Sequence, residues 1–231
     1  MFLINDFYIS RLQKEELNEM VAFIVAENYW GHQGLALTAE ELSEEINDLT
    51  KEDVEFFDSS IYYVLRNKKD HKIYGSIKLT YWDKTTILPI QRLFGVSIPC
   101  INFLHDRTKV WHIGRFAISH KIPTAAGRIT ILKKLLFNAF YPLNRLADGL
   151  LLAECDKKLT STLESLGVRS LQLGNSLSYL GSETLPICIK SGWLDGFIAS
   201  HAERYFTREN MDDFTFFQDA TYASEYEEAY K

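Results

Sequence analysis

Two side chains suited to proton and charge handling, His112 and Arg115, interrupt an otherwise apolar run, Val110-Trp111-His112-Ile113-Gly114-Arg115-Phe116-Ala117-Ile118-Ser119. An imidazole exchanges protons near neutral pH and can take one from an ammonium substrate. A guanidinium can hold a substrate carboxylate through two parallel hydrogen bonds. It can equally pair with an acid of the chain, since buried charges need partners, and Asp58 and Glu154 are the candidates. Glu154 closes a second apolar run, Gly149-Leu150-Leu151-Leu152-Ala153-Glu154, and is an alternative base or a structural partner for Arg115. His112, Arg115 and Glu154 are therefore the candidates for catalytic proton and charge handling. For His112 the plainer alternative is a hydrogen-bonded core histidine.

The chemistry requires elements that aim these groups. A regular strand puts residues three apart on opposite faces, so His112 and Arg115 act together only if the strand is bent. Gly114 suits a bulge that would supply the bend and turn backbone N–H groups toward a carbonyl. After the strand come His120-Lys121-Ile122-Pro123-Thr124-Ala125-Ala126-Gly127-Arg128, a loop opening on a helix N-terminus, where anions bind. Gly127 and Arg128 are the candidates for holding an anionic group there. Lys121, Arg128, Lys133 and Lys134 form a local basic cluster suited to an anionic partner.

The apolar spacing of Leu132, Leu135, Leu136, Ala139 and Phe140 predicts the helix after the loop. Gly149–Glu154 has the unbroken apolar character of a buried parallel strand. Asp156 then caps a helix carrying Leu159, Leu163 and Leu166, which Gly167 stops.

Upstream, Phe7–Ile9 is a short strand, and Leu17, Met20, Val21, Ile24 and Val25 stripe one helix. Thr38 and Glu41 form a capping box for a second, acidic helix through Leu49, whose charges read as a solvated face. Ser60–Arg66 and Ile73–Trp82 predict a hairpin. Residues 88–99, bracketed by prolines, are expected to be irregular. Val168–Tyr179 and Pro186–Lys190 read as two late strands. The resulting order is a mixed α+β sheet with a strand–helix–strand crossover, one domain over residues 1–205, and an acidic aromatic tail at 206–231 without an assigned role.

Of the 231 residues, 46% are hydrophobic and 24% charged, so the chain can build a core. Net charge is −6, the wrong sign for general nucleic-acid binding. Cys100, Cys155 and Cys188 have no metal-ligand spacing, so no metal site is expected, and the odd count fits a reducing compartment. Cys155 and Cys188 read as buried and inert. No secretion signal and no run of about 18 apolar residues is seen, so a cytoplasmic protein without membrane insertion is expected.

Trp30, Phe57-Asp58 with Ile61-Tyr62-Tyr63-Val64, Tyr74-Gly75-Ser76-Ile77-Lys78-Leu79 and Trp111-His112-Ile113-Gly114-Arg115-Phe116 together resemble acyl-homoserine lactone synthases. They are more similar still to long-chain N-acyl amino acid synthases; both are branches of the GNAT acyltransferase fold. The resemblance spans roughly residues 7–190. It implies a central Trp-Glu-x-x-Arg-Phe strand in which His112 stands at the glutamate, and an arginine position taken by Lys78. It further implies substrate contacts from Trp30, Asp58 and Lys78, and a pantetheine arm inserted beside Phe116 and Ile118. Of the three tryptophans Trp30, Trp82 and Trp111, at least two read as core.

The expectation is an N-acyltransferase moving a medium or long acyl chain to an amino acid amine by direct attack. Its co-substrate is acyl-CoA or an acyl carrier protein thioester, with no tightly bound cofactor. The alternatives are a homoserine-lactone synthase, against which the absent acid at position 112 counts, and a degenerate GNAT domain that binds an acyl carrier or a partner without turnover.

Overall fold

The computed structural model describes residues 6–31, 38–102, 104–146, 148–179 and 182–206, with Trp30 and Gly31 described in backbone only. The tail from residue 207 lies outside the described residues. Among the described residues eight strands form one sheet: β1 (Phe7–Arg11), β2 (Ser60–Asn67), β3 (Ile73–Tyr81), β4 (Lys109–Ile118), β5 (Gly149–Asp156), β6 (Leu171–Gln172), β7 (Leu177–Tyr179) and β8 (Ser182–Lys190). Their order is β1-β2-β3-β4-β5-β8-β6, with β7 also paired to β8. β4 and β5 are parallel, joined through α4 (Ala125–Asn144), while β1/β2 and β5/β8 are antiparallel. Helices α1 (Leu17–Gly31), α2 (Ala39–Glu55), α3 (Pro89–Phe94), α5 (Lys157–Ser165) and α6 (Asp195–Tyr205) complete a mixed α+β fold.

The chain forms two compact units. One comprises residues 1–79 and 114–136, the other 80–113 and 137–231. In the first, the α1 stripe Leu17, Met20, Val21, Ile24 and Val25 packs with Tyr62, Val64 and Ile73, and Leu42, Ile46 and Leu49 of α2 cover it. Gly75 on β3 is required by packing: a Cβ there would lie 3.0 Å from Leu135 Cδ1 and 3.4 Å from Ile131 Cγ2 of α4. In the second, Phe140 of α4 meets Phe197 of α6 edge-on, and Leu150–Ala153 of β5 are buried.

Several boundaries differ from the sequence reading, each for a local reason. α2 runs on to Glu55, so its last turns carry Glu52 and Asp53 inward; Asp53 is 0% exposed. The stretch expected to be irregular holds α3, because Pro89 occupies the first turn, where a missing N–H costs nothing, and Gly95 ends the helix at φ 63°. The single late strand over 168–179 is two short ones, interrupted at Gly174-Asn175-Ser176, and β8 starts at Ser182 ahead of Pro186. The predicted hairpin strands are buried on both faces.

Candidate active site

β4 carries both polar candidates, and its geometry changes between them. It pairs with β5 from Lys109↔Gly149 to Ile113↔Ala153, with His112 opposite Leu152. Because side chains alternate along a strand, Glu154, two residues beyond Leu152, shares a face with His112. Their side chains meet: His112 Nε2 lies 3.0 Å from Glu154 Oε1 and 2.9 Å from Oε2. Both are largely removed from water, with side-chain exposures of 5% and 12%. Sequence reading offered these two as alternative bases; strand pairing makes them one unit.

The bend lies one residue later than expected. Arg115, not Gly114, adopts the left-handed backbone at φ 52°. Such a conformation costs a non-glycine residue about 1 kcal/mol or more and persists where neighbours impose it. Here they do. Ser76 Oγ donates to the Arg115 carbonyl at 2.8 Å, Arg115 Nε donates to Asp53 Oδ2 at 2.8 Å, and Arg115 Nη2 donates to Glu52 Oε2 at 2.9 Å. The acids that hold Arg115 are therefore Asp53 and Glu52, rather than Asp58 or Glu154. Asp58 is exposed, in a short turn at Phe57–Ser59.

Lys78 belongs to the same cluster. Its Nζ lies 2.8 Å from Asp53 Oδ1, over the Phe56 and Tyr62 rings at 4.7 and 5.2 Å. Tyr62 Oη also donates to Asp53 Oδ1. Burial pulls the Lys78 ammonium below the ordinary lysine range, and Asp53 only partly offsets it. Burial acts in the same direction on Arg115, but Asp53 and Glu52 together overrule it and hold the guanidinium above its ordinary value. Burial, with Asp53 close by, raises the Tyr62 phenol.

The loop after β4 is anchored by another acid that sequence reading missed. Glu27 of α1 accepts from Ser119 Oγ at 2.9 Å and from the His120 N–H at 2.7 Å, and lies 2.9 Å from His120 Nδ1. Thr124 caps α4 by accepting from Gly127 N–H at 3.0 Å. Gly127 is buried. Arg128 is exposed and donates from Nη1 to the Ile122 carbonyl at 2.8 Å. Phe116 and Ile118 are half-buried, as are Lys133 and Lys134, while Lys121 is exposed.

Trp111 is fully buried against Tyr81, at 5.0 Å between rings, and Trp82 is buried with its indole N–H donating to Thr86. Both are core. The Trp30 side chain lies outside the described residues. Cys155 and Cys188 are buried, and burial pushes their thiols up to about 12 and about 11. Among the described residues no cluster of three metal-ligating side chains occurs, and no helix is long and apolar enough to cross a membrane.

No signal within α2 itself distinguishes Asp53 from its neighbouring acids. The one usable hint is the aromatic pair Phe56-Phe57 following Glu52-Asp53, which draws the end of the helix inward.

Neither a protein-family model nor a curated protein sequence matches the chain. Solved structures do. The N-acyl amino acid synthase FeeM from uncultured soil microbes superposes with a TM-score of 0.60 at 16% identity, covering 84% of this chain and 96% of that one. The CoA-dependent acyl-homoserine lactone synthase BjaI gives 0.57 at 11%, covering 85% and 89%. The nucleotide-linked sugar GNAT FdhC gives 0.51 at 12%, covering 87% and 96%. The chain thus has the GNAT fold, in a form shared with N-acyl amino acid synthases and acyl-homoserine lactone synthases.

Proposed function

We propose that the protein is an N-acyltransferase that moves a medium or long acyl chain from an acyl-carrier-protein or CoA thioester to the amine of an amino acid. The observation that carries this reading is the buried His112–Glu154 pair on two parallel, hydrogen-bonded strands. Such a pair is suited to taking a proton from a nitrogen nucleophile. The likeness to FeeM supports the choice of acceptor. The amine attacks the thioester directly, in a complex holding both substrates, so that positioning does much of the catalytic work. The buried Cys155 and Cys188, with their thiols pushed up, are poor candidates for a covalent intermediate.

In this reading the donor arm runs along Gly114–Ile118 of β4, past Phe116 and Ile118, with its phosphate near Gly127 and Arg128 at the start of α4. Lys121, Arg128, Lys133 and Lys134 supply positive charge toward an acidic carrier. Arg115 maintains the bend of β4. A two-pronged grip on a substrate carboxylate through Nε and Nη2 would require its pairs with Asp53 and Glu52 to break.

The test is mass spectrometry of lipids from cells overproducing the protein. A new N-acyl amino acid, absent from cells producing His112→Ala, is the expected result. No new N-acyl product, together with no thiol release from acyl-CoA or acyl carrier protein in vitro, overturns the proposal.

A further inference from the structure

The His112–Glu154 contact determines which ring nitrogen can move a proton. A neutral imidazole carries one N–H and one lone pair. Nε2 faces both oxygens of a carboxylate, at 3.0 and 2.9 Å. A lone pair on Nε2 would oppose those oxygens, in a place where His112 is only 4% exposed and little water can intervene. The hydrogen therefore belongs on Nε2, and the lone pair on Nδ1, the ring nitrogen that does not face Glu154. The contact is built into the backbone: with His112 opposite Leu152, strand pairing itself brings Glu154 to the ring. The imidazolium already has Nε2–H, so the proton that comes and goes is the one on Nδ1.

We propose that Glu154 is a positioning residue that locks His112 in the Nε2–H form, and that Nδ1 of His112 is the atom that accepts the proton during transfer. The inference rests on the acyl-transfer reading for its reaction. The amine lone pair forms the C–N bond to the thioester carbonyl carbon, the C–S bond breaks, and the sulfur leaves with the electron pair. The proton lost by the nitrogen passes to Nδ1 and from there to the departing sulfur, giving amide and free thiol. Glu154 stabilises the transient imidazolium and takes no proton.

The test is the pattern of imidazole nitrogen resonances in the full chain labelled with 15N-histidine. The His112→Gln spectrum identifies the His112 ring among the six histidines. The expected wild-type result is a protonated Nε2 and an unprotonated Nδ1 in the neutral ring. In Glu154→Gln, whose amide can donate or accept, the ring should populate both forms, and kcat should fall about 10- to 100-fold with KM little changed. A neutral His112 carrying its hydrogen on Nδ1 overturns the inference, as does a Glu154→Gln variant with the wild-type ring pattern and wild-type kcat. The wild-type spectrum decides the first point whether or not the variant folds. Absence of acyl transfer by the wild type, with the ring pattern as stated, overturns the acyltransferase reading alone.

Discussion

The Asp53 cluster and the His112–Glu154 pair are both buried arrangements of charge, and they differ in how completely they are matched. Around Asp53, two acids meet two cations. Lys78 and Arg115 each bond to Asp53, Arg115 also holds Glu52, and the Tyr62 hydroxyl adds a further donor to Asp53. Such a set favours rigidity, because any substrate binding through these groups would first have to break existing pairs. Around His112 there is one acid and one imidazole, and only Nε2 of the ring faces the acid. A ring held through one nitrogen is fixed in place and can still react through the other. In the proposed acyl-transfer reading, the first cluster shapes β4 and the second carries the chemistry.

The largest expected effect concerns the His112–Glu154 pair. His112→Gln should lower kcat by about 10²–10⁴-fold, the range for a lost general base, while the thermal unfolding midpoint stays near that of the wild type. An unfolded or strongly destabilised variant would erase the contrast.

Asp53→Ala should do the reverse. Two cations lose their buried partner, a change that costs about 3–5 kcal/mol, read as a lowered urea midpoint. If Asp53→Ala kept wild-type stability but lost activity, the cluster would belong to the chemistry after all.

Glu27 sharpens the comparison as an intermediate case, since its carboxylate ties Ser119 and His120 to α1. Glu27→Gln keeps the shape and loses the charge, with an expected cost of about 1–3 kcal/mol in chemical denaturation. It should leave the His112 ring pattern unchanged.

The smallest effect is a reactivity difference. Exposed Cys100 should react first with a thiol reagent at neutral pH. Cys155 and Cys188, buried and pushed up to about 12 and about 11, should react only on unfolding. Rapid native labelling of Cys155 would show that β5 opens readily.

The sequence by itself determined the elements whose causes are local. Apolar spacing marked α1, α4 and the β4–α4–β5 crossover. Asp156 accepts from Leu159 N–H as the cap of α5, Gly167 sits at φ 79° just past its end, and the Thr38–Glu41 capping box starts α2. It also supplied His112, Arg115 and Glu154, because polar residues inside apolar strands are conspicuous.

The partners were decided by tertiary structure. Asp53 and Glu52 lie past Leu49, where the sequence ended the second helix, yet they reach Arg115 across 62 and 63 residues of chain. The joining of His112 to Glu154 required the parallel register of β4 and β5, and the bend at Arg115 required Ser76 from a neighbouring segment. Helix and strand patterns are set by neighbours a few residues away. The pairing of a buried charge depends on which distant side chain the fold delivers to it, and no local pattern encodes that choice.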